Sequence, residues 1–337
     1  MSEVLIAGVA GRFPDSTCVN SFWESLLSGK DSVTSDDKRW PKGQYEGVPH
    51  RKGTVPDECI TAFDASYFRL SHLQADAMDP QQRMLLEVTR EAIIDAGMRP
   101  EDLQAKRVGV FIAVSRSDAE ALNTDEQATV SGYAISGCAM SMLANRVSYA
   151  FNLKGPSRIV NAECASSAVA VHEARLSLLH GECDAAIVGG VNLLLRPGIS
   201  QSFAKLNMLA KDGKCQAFDQ NGQGYVRSEA IVACLLTREE VDKDDTLSHY
   251  HHAYAKILGS GALHGGYQKE GILYPNQAAQ ETLLRQVYAD AQVSPSEITY
   301  LEAHGTGKSS GPQRRAEKSR EEKRYFLCIS LLTDYCY

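Results

Sequence analysis

The stretch Gly155–Arg175, GPSRIVNAECASSAVAVHEAR, changes character at its midpoint. A Gly155-Pro156 turn signal opens it, and the β-branched pair Ile159-Val160 makes Ser157 to Asn161 read as a short strand. From Cys164 the residues become small, Ala165-Ser166-Ser167-Ala168, and then apolar at Val169, Val171, Leu176, Leu178 and Leu179. These positions leave no clean polar stripe, the pattern of a helix packed on most sides. Cys164 therefore falls where a strand ends and a buried helix begins. A helix start offers unsatisfied N–H groups and the positive end of the macrodipole, and both favour a thiolate. A buried cysteine is otherwise an inert small hydrophobe, so position alone leaves Cys164 open between nucleophile and core residue.

Outward from this stretch, strands and helices alternate. Val4 to Ala7 reads as a buried strand closed by Gly8 and Gly11, glycines that do not make a dinucleotide-binding G-x-G-x-x-G. A short helix over Ser21 to Ser28 ends at Gly29, and the polar residues 30–60, with three prolines, read as a long surface excursion. Asp79-Pro80-Gln81-Gln82 starts a helix whose Leu85, Val88, Ala92 and Ala96 share a face and which Gly97 stops. Val108 to Val114 is a second buried strand, Gly132 to Asn152 one further helix, and Cys183 to Leu195 a strand broken by Gly189-Gly190. Met140, Met142 and Leu143 on that further helix read as core. Asp219 in the 218–224 loop reads as a turn-maker, and Glu229 to Leu236 returns as a strand. After a charged link at 238–249 come a strand (Ala253 to Leu258), a glycine loop (259–266), a helix (Asn276 to Ala291), a capping box at Ser294 to Glu297 and a strand (Ile298 to Glu302). This order predicts an α/β chain with a mainly parallel sheet covered on both faces.

Composition excludes several classes. The net charge of −7 without a basic stripe argues against nucleic acid. The apolar runs Val4 to Ala10 and Ala185 to Leu195 fall below the about 20 residues of a membrane span, and no charged leader precedes the first. Nine cysteines without a CxxC pair fit a reduced, cytoplasmic setting. The histidines of His249-Tyr250-His251-His252 sit in a charged stretch and read as a solvated loop, so no metal is expected.

Several separate pieces carry a resemblance. They are Gly11-Arg12-Phe13-Pro14, Phe63-Asp64-Ala65-Ser66-Tyr67-Phe68, Met78 to Arg83, the Cys164 segment, Ala186 to Asn192, Ala217-Phe218-Asp219, Gly224 to Glu229, and Glu302-Ala303-His304-Gly305-Thr306-Gly307. In this order they resemble the β-ketoacyl synthase (ketosynthase) domain of type I fatty acid and polyketide synthases, most like the animal fatty acid synthase form. The resemblance implies a thiolase-like layered α-β-α-β-α fold. Residues 1–240 would form the N-terminal half with the nucleophile, 250–311 a partial C-terminal half, and 312–337 a tail foreign to the family.

It also implies chemistry. Cys164 would accept an acyl chain from the phosphopantetheine arm of an acyl carrier protein, with no cofactor bound directly. A malonyl thioester would then lose carbon dioxide and condense with the acyl-cysteine. His304 matches the first of the family's two active-site histidines, where an imidazole N–H helps the enolate oxygen. The family forms homodimers beside the nucleophile strand.

Departures accompany the match. The family's Asp-Thr-Ala-Cys-Ser-Ser-Ser is here Asn161-Ala162-Glu163-Cys164-Ala165-Ser166-Ser167, and a Glu163 carboxylate aimed at the sulfur would weaken the nucleophile. Leu263-His264 replaces the usual Thr-Asp before Gly265, and after Gly307 the chain continues Lys308-Ser309-Ser310-Gly311 where the family has Gly-Asp-Pro. The second histidine, its nearby lysine and the glycine-rich closing loop have no counterpart. The expectation is a C-terminally truncated, weakly active or inactive synthase; the alternative is an inactive paralogue that dimerises or binds acyl carriers. A phosphate-binding loop ending at Gly307-Lys308-Ser309 is disfavoured, since its first glycine would be Glu302, a carboxylate that repels phosphate.

Overall fold

The computed structural model describes residues 3–119, 132–239, 250, 252–269, 271 and 274–306. Eight strands run as β1 (Val4–Arg12), β2 (Val33–Thr34), β3 (Lys52–Gly53), β4 (Val108–Ala113), β5 (Ser157–Val160), β6 (Ala185–Asn192), β7 (Ala230–Arg238) and β8 (Ala255–Ile257). The helices are α1 (Val19–Leu27), α2 (Asp57–Thr61), α3 (His72–Asp76), α4 (Pro80–Asp95), α5 (Ala134–Cys138), α6 (Ser141–Ala150), α7 (Ser166–Leu179), α8 (Gly198–Lys205) and α9 (Gln277–Ala291). Six strands make one sheet in the order β5-β4-β6-β7-β1-β8, and β2 pairs with β3 apart from it.

Period-two alternation sends the sheet's side chains to two cores. Val110, Ile112, Ile187 and Leu235 face α4 and α6, where Leu85, Val88, Ala92 and Val147 meet them. Phe111, Ala113, Val188 and Leu236 face α7, which presents Ala170, Ala174 and Leu178. The sheet is thus covered on both faces, as the run of apolar strands requires.

The sheet is mixed rather than mainly parallel. β4 pairs in parallel with β5 and β6, and helices α5, α6 and α7 lie on the crossovers between them. β7 is antiparallel to β6 and to β1, and β1 is antiparallel to β8. Asn192, the last residue of β6, pairs with Ala230, the first of β7. The 193–229 connection therefore returns to the end of the sheet it left, and β7 must run back. A helix between strands fixes parallel pairing only when it crosses over the sheet.

Other expectations need revision for local reasons. The helix expected over Gly132 to Asn152 is two, because Ala139 is extended (φ −60°, ψ 130°). Gly137 lies against the residues just before α4: a Cβ there would stand 2.1 Å from the Ala77 carbonyl oxygen, and the Gly137 carbonyl accepts from the Asp79 N–H at 2.9 Å. Gly189-Gly190 does not interrupt β6. A Cβ on Gly189 would stand 2.8 Å from Ile112 and 3.0 Å from Leu85, so the glycines admit neighbouring side chains onto an unbroken strand. The 30–60 stretch is less superficial than its polarity suggests, since Trp40, Lys52 and Val55 are buried. Ile298 to Glu302 forms no strand; Tyr300 is 73% and Leu301 51% exposed. A β-favouring run becomes a strand only beside a partner edge, and none lies next to it among the described residues.

Asp79 caps α4 as expected, accepting from the Gln81 N–H at 2.8 Å, and Gly97 follows its end at φ +82°. Asn276 caps α9, which buries Leu283 and Val287, and Ser294–Glu297 forms its capping box. Asp219 makes its turn by accepting from the Asn221 N–H at 2.8 Å. Of the link expected at 238–249, Arg238 belongs to β7 and residues 240–249, His249 among them, lie outside the described residues, as do His251 and the 312–337 tail. So do residues 307–311, and one sheet with helices on two sides is the layered part described.

Candidate active site

β5 delivers the chain to a single tight turn. Asn161 and Ala162 leave the strand, Glu163–Ala165 form a 3-10 turn, and α7 starts at Ser166. Cys164 is exposed in that turn, two residues before the α-helix rather than inside a buried helix start. α7 itself is buried on one face only, at Ser166, Ala170, Ala174, Ser177 and Leu178, because the sheet lies on one side of it.

Hydrogen bonds fix the turn. The Ser166 hydroxyl donates to the Glu163 carbonyl at 2.7 Å and accepts from the Ala162 N–H at 2.9 Å. The Ser115 hydroxyl, from the loop after β4, donates to the same carbonyl at 3.2 Å. Asn161 accepts from the Glu163 N–H at 3.3 Å and donates to the Ser115 carbonyl at 3.3 Å. Glu163 needs this restraint, since its φ of +48° lies in the left-handed region that a side chain disfavours. No side-chain cap covers the first turn of α7, so its N–H groups still favour an anion nearby.

Cys164 opens on a cavity of about 530 Å³. β6 and β7 contribute Val188, Gly189, Gly190, Val232 and Cys234; α7 contributes Ser167 and Val171; α8 contributes Ile199 and Phe203. Arg116, Asp118, Arg227 and Ser228 are among its polar lining residues. The lining is largely apolar with a few polar groups, the composition of a small-molecule site. Cys234 is a second thiol on this wall, and burial pushes it up to about 11. A neighbouring cavity of about 390 Å³ shares Ser115, Arg116 and Asp118 and adds Met140 and Arg196.

Two buried carboxylates hold the surrounding loops. Glu229, its side chain fully buried, takes two bonds from the Arg39 guanidinium at 2.8 Å each and the N–H groups of Val55 and Leu194 at 2.9 Å. It so ties the 30–60 excursion to the loop after β6. Burial works against the Arg39 charge, but Glu229 and Asp57 hold the guanidinium above its ordinary range. Asp79 accepts from Gln81 and from the Ser117 hydroxyl at 2.7 Å, and burial pushes its carboxyl up despite those bonds. Asp118 accepts from the Leu195 and Arg196 N–H groups at 3.0 Å. The Ser115–Asp118 loop beside Cys164 is thereby anchored at both Ser117 and Asp118.

Of the two residues singled out from the sequence, Cys164 lines the cavity and His304 does not. His304 is exposed in the strandless 298–306 stretch, where a Cβ on Gly305 would stand 3.3 Å from Ala217. Glu163 does not stand alone beside the sulfur: its carboxylate lies 3.6 Å from the Arg116 guanidinium. Sequence reading did not single out Arg116, Arg39 or Cys234, and no local pattern marks them, because their partners lie far away in the chain. No cluster of metal-ligating side chains and no helix long and apolar enough to cross a membrane occurs among the described residues.

A mixed sheet that hands an exposed cysteine to a helix start beside a cavity is shared with known proteins, and these define its class as that of the thiolase-like ketosynthases. Residues 1–242 match the β-ketoacyl synthase N-terminal domain and residues 254–316 its C-terminal domain, so the chain belongs to the β-ketoacyl synthase family. It is 43% identical over 312 residues to a fatty acid synthase of Anser anser anser, covering 92% of this chain and 85% of that sequence. It is 38% identical to a highly reducing polyketide synthase of Didymella fabae, over 92% of this chain but 16% of that protein. Among solved structures, the oxazolomycin ketosynthase domain of Streptomyces albus JA3453 superposes with a TM-score of 0.80 at 32% identity, covering 91% of this chain and 54% of that one. The ketosynthase from module 6 of the bacillaene synthase of Bacillus subtilis 168 gives 0.79 at 31%, over 91% and 51%. The chain thus spans about half the length of these solved ketosynthases.

Proposed function

We propose that Cys164 is the acyl-accepting nucleophile of a β-ketoacyl-[acyl-carrier-protein] synthase of fatty acid biosynthesis, acting in the cytoplasm. The supporting observation is the exposed thiol on a fixed turn at the mouth of a largely apolar cavity of about 530 Å³. The Cys164 thiolate attacks the carbonyl of an acyl thioester presented on a carrier protein's phosphopantetheine arm. A new carbon–sulfur bond forms, the arm's own carbon–sulfur bond breaks, and the departing thiolate takes a proton from solvent. A malonyl thioester then loses carbon dioxide, and its enolate carbon attacks the acyl-cysteine, releasing the Cys164 thiolate and a 3-oxoacyl thioester. His304 is the donor we assign to the enolate oxygen once its segment meets the remainder of the second half. No cofactor is held by the chain itself. The fatty acid assignment leans on the 43% identity to the goose enzyme over nearly the whole chain.

β5 is an edge strand among the described residues, with Arg158 exposed. Pairing of this edge with a second copy is the homodimer we propose, and sedimentation velocity at micromolar concentration checks it. Loading tests the nucleophile directly. After incubation with an acyl-carrier thioester, intact mass should rise by one acyl group, mapping to the Cys164 peptide and absent in Cys164→Ala. Acylation elsewhere, or unchanged in C164A, removes the assignment.

A further inference from the structure

We propose that Arg116 is a positioning residue for the nucleophile: it neutralises the Glu163 carboxylate and so keeps the neighbouring Cys164 ionisable. The inference rests on Cys164 being the nucleophile. Glu163 is adjacent to it in the turn, and both line the same cavity. An uncompensated carboxylate there opposes formation of a thiolate. The Glu163 side chain is 13% exposed, so little solvent screens it, and the Arg116 guanidinium stands 3.6 Å from its Oε1.

The turn that carries Glu163 is itself fixed. Its backbone is held at φ +48° by the Ser115, Asn161 and Ser166 hydrogen bonds. Arg116 follows Ser115 directly, so the bond that pins the turn also brings the guanidinium to the carboxylate. The anchoring of Ser117 on Asp79 and of Asp118 on the 195–196 backbone then limits how far Arg116 can swing away.

The other charged or titratable groups that line the cavity are engaged elsewhere or neutral. Asp118 is engaged by two backbone N–H groups. Arg227, from the loop before β7, lies over the Phe203 ring at 5.0 Å. Cys234 of β7 is pushed towards its neutral form by burial. α7 and α8 contribute only neutral side chains to the cavity. Arg116 is 48% exposed, so the pair adds little to stability. Its effect falls on the sulfur's ionisation.

The test is the pH profile of Cys164 alkylation by iodoacetamide, read by peptide mass mapping on the full chain. Arg116→Gln should raise the midpoint by about one pH unit, and Arg116→Lys should restore it. Glu163→Gln should lie at or below the wild-type midpoint. The double variant should match E163Q, because Arg116 acts through Glu163. Thermal melts of each variant report folding, and the Lys rescue keeps the test sharp if R116Q is destabilised. An R116Q midpoint equal to wild type, with Cys164 still alkylated, overturns the inference while leaving the nucleophile in place. A double variant shifted as far above E163Q as R116Q lies above wild type also overturns it. Wild-type Cys164 that fails to react at any pH removes both readings, as there is then no ionising thiol to tune.

Discussion

Cys164 and Cys234 line one cavity but sit in different electrostatic settings. Cys164 lies exposed ahead of the uncapped first turn of α7; Cys234 projects from the middle of β7, where burial pushes its thiol up to about 11. Alkylation requires the thiolate. At pH 8, iodoacetamide should therefore label Cys164 well before Cys234, and Cys234 should react appreciably only near pH 11. Time-resolved peptide mapping checks this. Equal rates at pH 8 would mean the cavity does not distinguish the two sulfurs. The Cys164 position was legible from the strand-to-helix change in its own neighbourhood. Its companions were not, because Arg116 lies 48 residues back and Cys234 70 ahead, and only the fold brings them to one wall.

At the scale of elements, two buried carboxylates join segments that sequence reading kept separate. Glu229→Ala removes the partner of Arg39, whose side chain is 6% exposed, and leaves the Val55 and Leu194 N–H groups without their acceptor. Breaking one side of a buried pair costs about 3–5 kcal/mol. Urea unfolding of E229A should show a loss of that order, with limited proteolysis cutting first between Asp36 and Asp57. Asp79 gives a pH signature. Its folded value is raised above the ordinary 3.8 by burial, so the stability tied to its neutral form is complete below that value and lost as pH rises through the raised one. Asp79→Asn keeps an N-cap acceptor without the charge. D79N should therefore gain on wild type from about pH 4 towards neutrality in paired melts, and a parallel pair of curves would contradict the buried-charge account. The start and stop of α4 were readable because Asp79-Pro80 and Gly97 act within a turn. The reversal of β7 was not, since strand direction depends on where the 193–229 connection returns. The break at Ala139 was equally hidden, being fixed by contact of Gly137 with Ala77.

For the whole molecule, the question is how many of the reaction's groups these 337 residues hold together. The thiol, its turn and its cavity come from strands and helices with partners, and these are the groups that the proposed acyl transfer to Cys164 uses. Condensation needs donors for the enolate oxygen. His304, the imidazole we assign to that task, lies in an exposed stretch and is not among the residues lining the cavity. Losing one oxyanion donor typically costs about 10²–10³ in rate. The neighbouring Tyr300 and Leu301, 73% and 51% exposed, form none of the strand that would hold the histidine in place. The 337-residue polypeptide by itself should therefore load Cys164 but release no measurable 3-oxoacyl thioester when malonyl-carrier thioester is added. Mass spectrometry of the carrier products separates the two steps. Loaded enzyme with carrier-bound malonate unchanged is the expected result. If 3-oxoacyl product appears and persists in a His304→Ala variant, decarboxylation is served by groups other than His304. If it appears and vanishes in H304A, the 298–306 segment closes onto the cavity in solution, and the exposed histidine is only the open form of a complete site.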